Sequence, residues 1–327
     1  MLRDKRPLAI ALTAVGLLIS AAAIADDSAL VTEIVETFYK IYGTHPGFRV
    51  NHAKGVVAEG SFVAAPAAAT LSRAALFDGS KIPVTVRFSN DGGIPTVSDG
   101  APSNPKGMAI KFHMPDGAEV DMVILAIKFF PVATGEEFRD LLVAISESPP
   151  NAPRPTKLDQ FTASHPKFPA SFGSAPTPDS FAHQEYHGID AFIFVDRAGH
   201  RQAVRYLMTP EKEVGLTAEQ AAIKPSNFLV DDLPQRIAKK PVVFHLKVQL
   251  AAPGDQTKDP SQPWPDDRKV VELGVLTLDK PVADTLEAQK KILFLPNHLT
   301  DGIEISDDRL PVIRSEVYAL AFARRAR

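Results

Sequence analysis

Near the carboxy terminus an arginine and a tyrosine stand four residues apart, Arg314-x-x-x-Tyr318, within a stretch whose apolar residues recur at helical spacing. On a helix such a pair lies one above the other on a single face. A guanidinium within hydrogen-bond reach of a phenol favours the ionised oxygen, and a phenolate is a hard ligand for ferric iron. A tyrosine in a helix interface beside a surface arginine has the same spacing and is commoner, so spacing alone leaves both readings open. A second group is Phe48-Arg49-Val50-Asn51-His52-Ala53-Lys54-Gly55, just ahead of a β-rich run. There His52 reads either as a general acid/base or as a hydrogen-bonded packing residue. Arg87-Phe88-Ser89 ends another run, where Ser89 can hydrogen-bond an imidazole and Arg87 can face a carboxylate.

The chain that must position these residues has 327 of them, 45% hydrophobic and 23% charged, enough apolar material for a sizeable core. It contains no cysteine, which excludes disulfides, thiolate ligands, iron–sulfur clusters and cysteine nucleophiles. Any metal must be held by nitrogen or oxygen. Arg3, Lys5 and Arg6, the almost wholly apolar residues 8–24 and the small-x-small site Ala23-Ile24-Ala25 together form a signal-peptide pattern over residues 1–25. The expectation is export to the periplasm, with no stable membrane insertion after cleavage, and one domain over residues 26–327. Residues 1–25 carry three basic side chains and one acidic, so their removal takes the net charge from −3 to −5. An acidic balance carries no footprint of nucleic acid or of an anionic membrane as partner.

Leu30, Ile34, Val35 and Phe38 predict an amphipathic helix over 29–42, stopped by Gly43. About eight strands are predicted, over 55–64, 82–88, 108–114, 120–127, 189–195, 202–208, 242–250 and 270–278. Turns such as Asp91-Gly92-Gly93 and Pro115-Asp116-Gly117 make antiparallel neighbours of several. The capping box Thr134-x-x-Glu137 opens a second helix, with Phe138, Leu141, Leu142 and Ile145 on one face. Eight prolines between 146 and 180 predict a long loop. A final helix, capped by Asp307-Asp308 with Pro311 in its first turn, carries the stripe Ile313, Val317, Leu320 and Ala321. Strand-rich segments interrupted by helices without strict alternation give an α+β domain around an antiparallel barrel.

These pieces occur together and in the order of the catalase superfamily. Arg49-Val50-Asn51-His52-Ala53-Lys54-Gly55 resembles that family's distal-histidine motif, and Val86-Arg87-Phe88-Ser89 the strand that supplies the serine partner. Pro105-Lys106-Gly107-Met108-Ala109-Ile110-Lys111-Phe112 resembles the glycine-bearing strand that follows, and Tyr186-His187-Gly188-Ile189-Asp190-Ala191-Phe192 the mid-barrel strand. Asp259-Pro260 with Trp264-Pro265, then Phe294-x-Pro296-Asn297 and Gly302-Ile303-Glu304-x-Ser306-x-Asp308, are similar to the approach to the proximal helix. That helix matches as Arg314-x-x-x-Tyr318 with Arg325 seven residues on. The size and the stretch Pro131-Val132-x-Thr134-x-Glu136-Glu137-Phe138 look like the compact catalase-related peroxidases.

The resemblance implies a catalase-like antiparallel eight-stranded β-barrel with flanking helices and a carboxy-terminal proximal helix, holding one haem per chain, of the b type. It implies Tyr318 as iron ligand with Arg314 keeping it ionised, His52 as distal acid/base and Ser89 as the group that orients its ring. Arg49, Arg87 and Arg325 match propionate-binding positions, and Phe129 and Phe130 resemble residues that line the distal side. The implied partners are a peroxide and a small organic reductant, with a homo-oligomer left open. One departure stands out: the strand that carries an asparagine in family catalases reads Asp121-Met122-Val123-Ile124-Leu125-Ala126-Ile127, without an amide. A missing transition-state hydrogen bond costs a few kcal/mol, so weak peroxide dismutation and better peroxidase turnover are expected, with Asn51 a partial substitute. The alternatives are a haem hydroperoxide dehydratase or lyase on the same fold, a haem-binding or carrier protein, and a barrel that has lost haem.

Overall fold

A computed structural model describes residues 11–325, with side chains from residue 27. Of the expected leader, residues 1–10 lie outside the described residues and the remainder is described as backbone only. Among the described residues no helix is long and apolar enough to cross a membrane. In chain order the elements are α1 (Ala11–Tyr42), β1 (Gly55–Ala64), α2 (Ala68–Leu71), β2 (Lys81–Asn90), β3 (Lys106–His113), β4 (Glu119–Leu125) and α3 (Gly135–Ser146). Then come α4 (Lys157–Ser164), α5 (Lys167–Gly173), β5 (Thr177–Pro178), β6 (Tyr186–His187), β7 (Phe192–Val195), β8 (Arg201–Pro210), β9 (Gly215–Leu216), α6 (Ala218–Ala222) and α7 (Phe228–Lys239). The last are β10 (Val242–Leu250), β11 (Val270–Pro281), α8 (Thr285–Lys291), β12 (Ile303–Ile305) and α9 (Leu310–Arg325).

Eight antiparallel strands close a ring in the order β10-β11-β1-β2-β3-β4-β6-β8, with β8 pairing back to β10. Closure leaves no open edge in the ring. Val84, Val86 and Phe88 of β2, Ile110 and Phe112 of β3 and Phe244, Leu246 and Val248 of β10 fill the interior. Phe62 and Phe112 meet edge to face at 5.4 Å. Strand side chains alternate between faces, so Arg87 and Ser89, between these apolar residues, point outward. Gly55, Ser89, Gly107, Leu125 and His187 are successive partners across five strands, forming one row around the barrel.

Outside that row, α1, α3 and α9 pack together: Leu30, Val31, Ile34, Val35 and Phe38 meet Leu142, Ile313 and Val317. Thr134 caps α3 by accepting from Glu137 N at 3.1 Å, but the Glu137 carboxylate accepts from Ala133 N, one residue before the position that the capping-box pattern implies. The loop expected over 146–180 instead contains α4 and α5. Proline tolerates a helix's first turn, where no backbone N–H is required. Pro166 sits at the N-cap of α5 and Pro169 in its first turn, while Thr156 and Asp159 form a capping box on α4. Counting prolines as breakers hid two helix starts.

Phe62→Ala is expected to lower unfolding free energy by about 3–5 kcal/mol in urea denaturation, since it empties a fully buried site. A loss under about 1 kcal/mol would contradict the packed interior.

Candidate active site

Beneath the three helices lies a cavity of about 830 Å³, lined by residues that include Arg49, His52, Arg87, Ser89, Phe130, Arg314, Tyr318 and Arg325. Every candidate site residue named from the sequence therefore meets at one place, except Phe129, whose backbone carbonyl instead accepts from Ser171 at 2.6 Å.

His52 sits in the turn before β1 at φ 53°, a left-handed conformation uncommon outside glycine. Arg87 Nη2 holds it there, donating to the His52 carbonyl at 2.7 Å. Its ring Nδ1 lies 3.0 Å from the Asn90 carbonyl and 3.2 Å from Ser89 Oγ. A carbonyl only accepts, so Nδ1 carries the proton and Nε2 keeps its lone pair. The Asn90 carbonyl is thus the nearer ring anchor, with Ser89 beside it. Burial, together with the charges of Arg87 and Arg314, outweighs the opposing pull of Asp91 and holds the imidazole below its ordinary value of 6.5. The ring rests on Gly107, where an added Cβ would lie 3.2 Å from His52 Cε1 and 3.0 Å from Ser89 Oγ.

Across the cavity, α9 presents Tyr318. Arg314 donates from both Nε and Nη2 to Tyr318 Oη at 3.3 Å, and from Nη1 to Asp190 Oδ2 at 2.6 Å. Burial opposes the Arg314 charge, but Tyr318 and Asp190 more than offset it and raise its pKa, so the guanidinium stays protonated. Asp190 Oδ1 and Asp308 Oδ2 take no hydrogen bond from a donor among the described residues, and burial followed by repulsion from Asp190 pushes the Asp308 carboxyl up to about 7. Phe130 packs against Phe138 with ring centres 5.2 Å apart, and its N–H donates to the Pro260 carbonyl.

Arg49, Arg87 and Arg325 gather at one end of the cavity. Segment 289–292 accepts from all three: Gln289 Oε1 from Arg87 at 2.7 Å, the Ile292 and Gln289 carbonyls from Arg49 at 2.9 and 3.4 Å, and the Lys290 and Ile292 carbonyls from Arg325 at 3.2 and 3.3 Å. Arg324, the alternative to Arg325 in register, points away and pairs with Glu36. None of the three forms an ion pair with a carboxylate among the described residues. Burial and the neighbouring positive charges hold Arg49 well below its ordinary range and Arg87 down to about 9. A dianion seated among them relieves both costs, which fits two haem propionates.

Asp190, Gln289 and Asp91 are not among the site residues that the sequence points to, Asp91 being read only as part of a turn. Asp190 lies inside a quoted motif yet carries no signal of its own, because its partner is 124 residues away. Nor is Asn51 a free amide: its Nδ2 donates to Asp91 Oδ1 at 3.2 Å and its Oδ1 accepts from Gly92 N at 2.8 Å. On the cavity side β4 presents Val123 and Leu125, while Ile124 between them turns into the barrel interior.

A closed antiparallel barrel with a helix-borne tyrosine and a loop-borne histidine on one cavity defines a catalase-like architecture. The family model for catalase matches residues 35–327. A catalase-related peroxidase of Synechococcus elongatus is 36% identical over 300 residues, covering 90% of this chain and 88% of its own. One of Mycolicibacterium paratuberculosis is 37% identical, covering 85% and 88%. A crystal structure of a fungal catalase superposes with a TM-score of 0.74 at 20% identity, covering 99% of this chain and 65% of the fungal one. The chain belongs to the catalase family.

Replacing Asp190 by Ala strands a buried guanidinium, and is expected to cost about 3–5 kcal/mol in chemical denaturation. Asp190→Asn, which keeps an acceptor, should cost less. Equal and small losses would mean the pair is not what seats α9.

Proposed function

We propose that the protein is a haem peroxidase that reduces hydrogen peroxide or organic hydroperoxides with electrons from an organic donor. The observation that carries this reading is that Tyr318 and His52, far apart in sequence, line one cavity with three arginines at its end. When bound, one haem per chain, of the b type, supplies the iron centre at which a peroxide accepts two electrons and two protons to give water, or water and an alcohol.

The chain's residues do the rest. Tyr318 is the iron's protein ligand, held by two Arg314 donors that stabilise the ionised oxygen. Arg49, Arg87 and Arg325 bind the propionates, and Phe130 packs along the pocket. His52, neutral with Nε2 as acceptor, takes a proton from one peroxide oxygen and delivers it to the other, which leaves as the O–O bond breaks. Ser89 and the Asn90 carbonyl hold the ring for both transfers. With only apolar side chains on the β4 wall, peroxide has one polar partner fewer, which favours donor oxidation over dismutation. The pattern in residues 1–25 supports an exported, periplasmic setting.

In the haem-loaded protein, His52→Ala is expected to lower peroxide turnover by about 10²–10⁴-fold while the Soret band remains. Retained turnover contradicts the reading and favours a carrier. Oxygen evolution at rates exceeding dye oxidation contradicts the donor assignment, and lipid-hydroperoxide consumption without donor favours a dehydratase or lyase.

The pH dependence has a defined sign. Because His52 titrates below 6.5 in the folded chain, it is unprotonated above that pH. The acid limb of kcat/KM should therefore have its midpoint below 6.5, read from initial rates between pH 4 and 9. A midpoint above 7 contradicts His52 as the base.

A further inference from the structure

The side of the cavity above His52 has a carboxylate where the apolar β4 wall offers nothing polar. Asp91 lies at the start of the β2–β3 connection, lines the cavity, and brings Oδ1 to 3.6 Å from His52 Nε2. That is ion-pair range for a protonated ring and beyond hydrogen-bond reach for a neutral one. The carboxylate is built in place. Asn51 Nδ2 donates to the same Oδ1 at 3.2 Å, Asp91 N donates to Asn104 Oδ1 at 2.8 Å and to the Pro105 carbonyl, and Ala53 N donates to the Gly92 carbonyl. These bonds tie the turn carrying His52 to the turn carrying Asp91.

We infer that Asp91 is the positioning residue that pairs with His52 when the imidazole holds the peroxide's proton, supplying the second distal polar group that β4 lacks. The inference rests on the haem-peroxidase reading. The step it serves is one proton transfer: the peroxide O–H bond breaks, an N–H bond forms at His52 Nε2, and the products are a peroxide anion and an imidazolium. The charged and titratable groups that face this ring are Asp91 from the β2–β3 connection, Arg87 from β2 and Arg314 from α9, with the Asn90 carbonyl on Nδ1. Both arginines and burial oppose an imidazolium, and among the side chains acting on the ring only Asp91 favours it. Without Asp91 the proton-bearing state faces two cations in a part-buried site.

The arrangement also has a limit that keeps His52 useful as a base. At 3.6 Å and with Oδ1 shared with Asn51, the carboxylate favours the imidazolium without locking it, and His52 still titrates below its ordinary value. A direct carboxylate–Nε2 hydrogen bond would hold the proton and block the lone pair.

The test compares haem-loaded wild type, Asp91→Asn, Asp91→Glu and His52→Ala. One readout is kcat/KM for hydrogen peroxide against pH. The other is the association rate of hydrogen cyanide, which must also give its proton to a distal base before binding ferric iron but undergoes no turnover. Asp91→Asn is expected to lower both rates about tenfold and to move the acid limb of each about one pH unit lower, because the ring loses its favourable charge. Asp91→Glu should recover part of both. An Asp91→Asn protein with limbs in the wild-type position overturns the inference, whether its rates are unchanged or merely reduced, since a structural loss moves no limb. A His52→Ala protein that keeps wild-type turnover overturns the underlying reading instead.

Discussion

A guanidinium cannot be left alone inside a protein, and the pairing of Arg314 decides how the last helix sits. Ile313 and Val317 bury one stripe of α9 against α1, an apolar contact that tolerates some rotation about the helix axis. The ion pair from Arg314 to Asp190, at the end of the barrel's mid-chain segment, removes that freedom. The remaining two donors of Arg314 then have one position for an acceptor, four residues along the same face, and Tyr318 Oη occupies it. The phenol therefore faces the cavity as a consequence of where a buried charge found its partner.

The opposite wall is fixed by the barrel. A closed ring has one register, and that register lines up Gly55, Ser89, Gly107 and Leu125. Ser89 and a glycine side by side leave a ledge on which an imidazole can lie flat, and the same strand sends Arg87 under the His52 carbonyl. Gly55 is needed for a similar reason, since a Cβ there would come within 2.6 Å of Arg87 Nη2. Arg87 then serves twice, bracing a strained backbone position and contributing to a positive end of the cavity that asks for an anion.

Much of this was legible in the chain because it is local. Strands β1 and β10 begin and end where their β-branched runs do, and the α1 and α9 stripes are read directly from helical spacing. Motif order also brought the tyrosine, the histidine, the serine and the arginines to one site. What was not legible depends on distant partners or on backbone geometry. Asp190 and Gln289 become meaningful only once the barrel closes around them, and the Asn90 carbonyl that anchors His52 belongs to no side chain. Between 146 and 180 the same prolines that break strands begin helices, and Phe168, Pro169 and Phe172 of α5 turn out to line the cavity. Asn51, read as a partial substitute for the missing amide, is tied to the Asp91 turn by partners that no motif signals.

We propose the Arg314-held phenol of Tyr318 as the protein's ligand to haem iron. Absorption and resonance Raman spectra of the haem-reconstituted protein test it directly, comparing wild type with Tyr318→Phe. The expected result is ferric phenolate charge-transfer and phenolate vibrational bands in the wild type, absent in the variant. Identical spectra from the two proteins, or a wild type without phenolate bands, would contradict it.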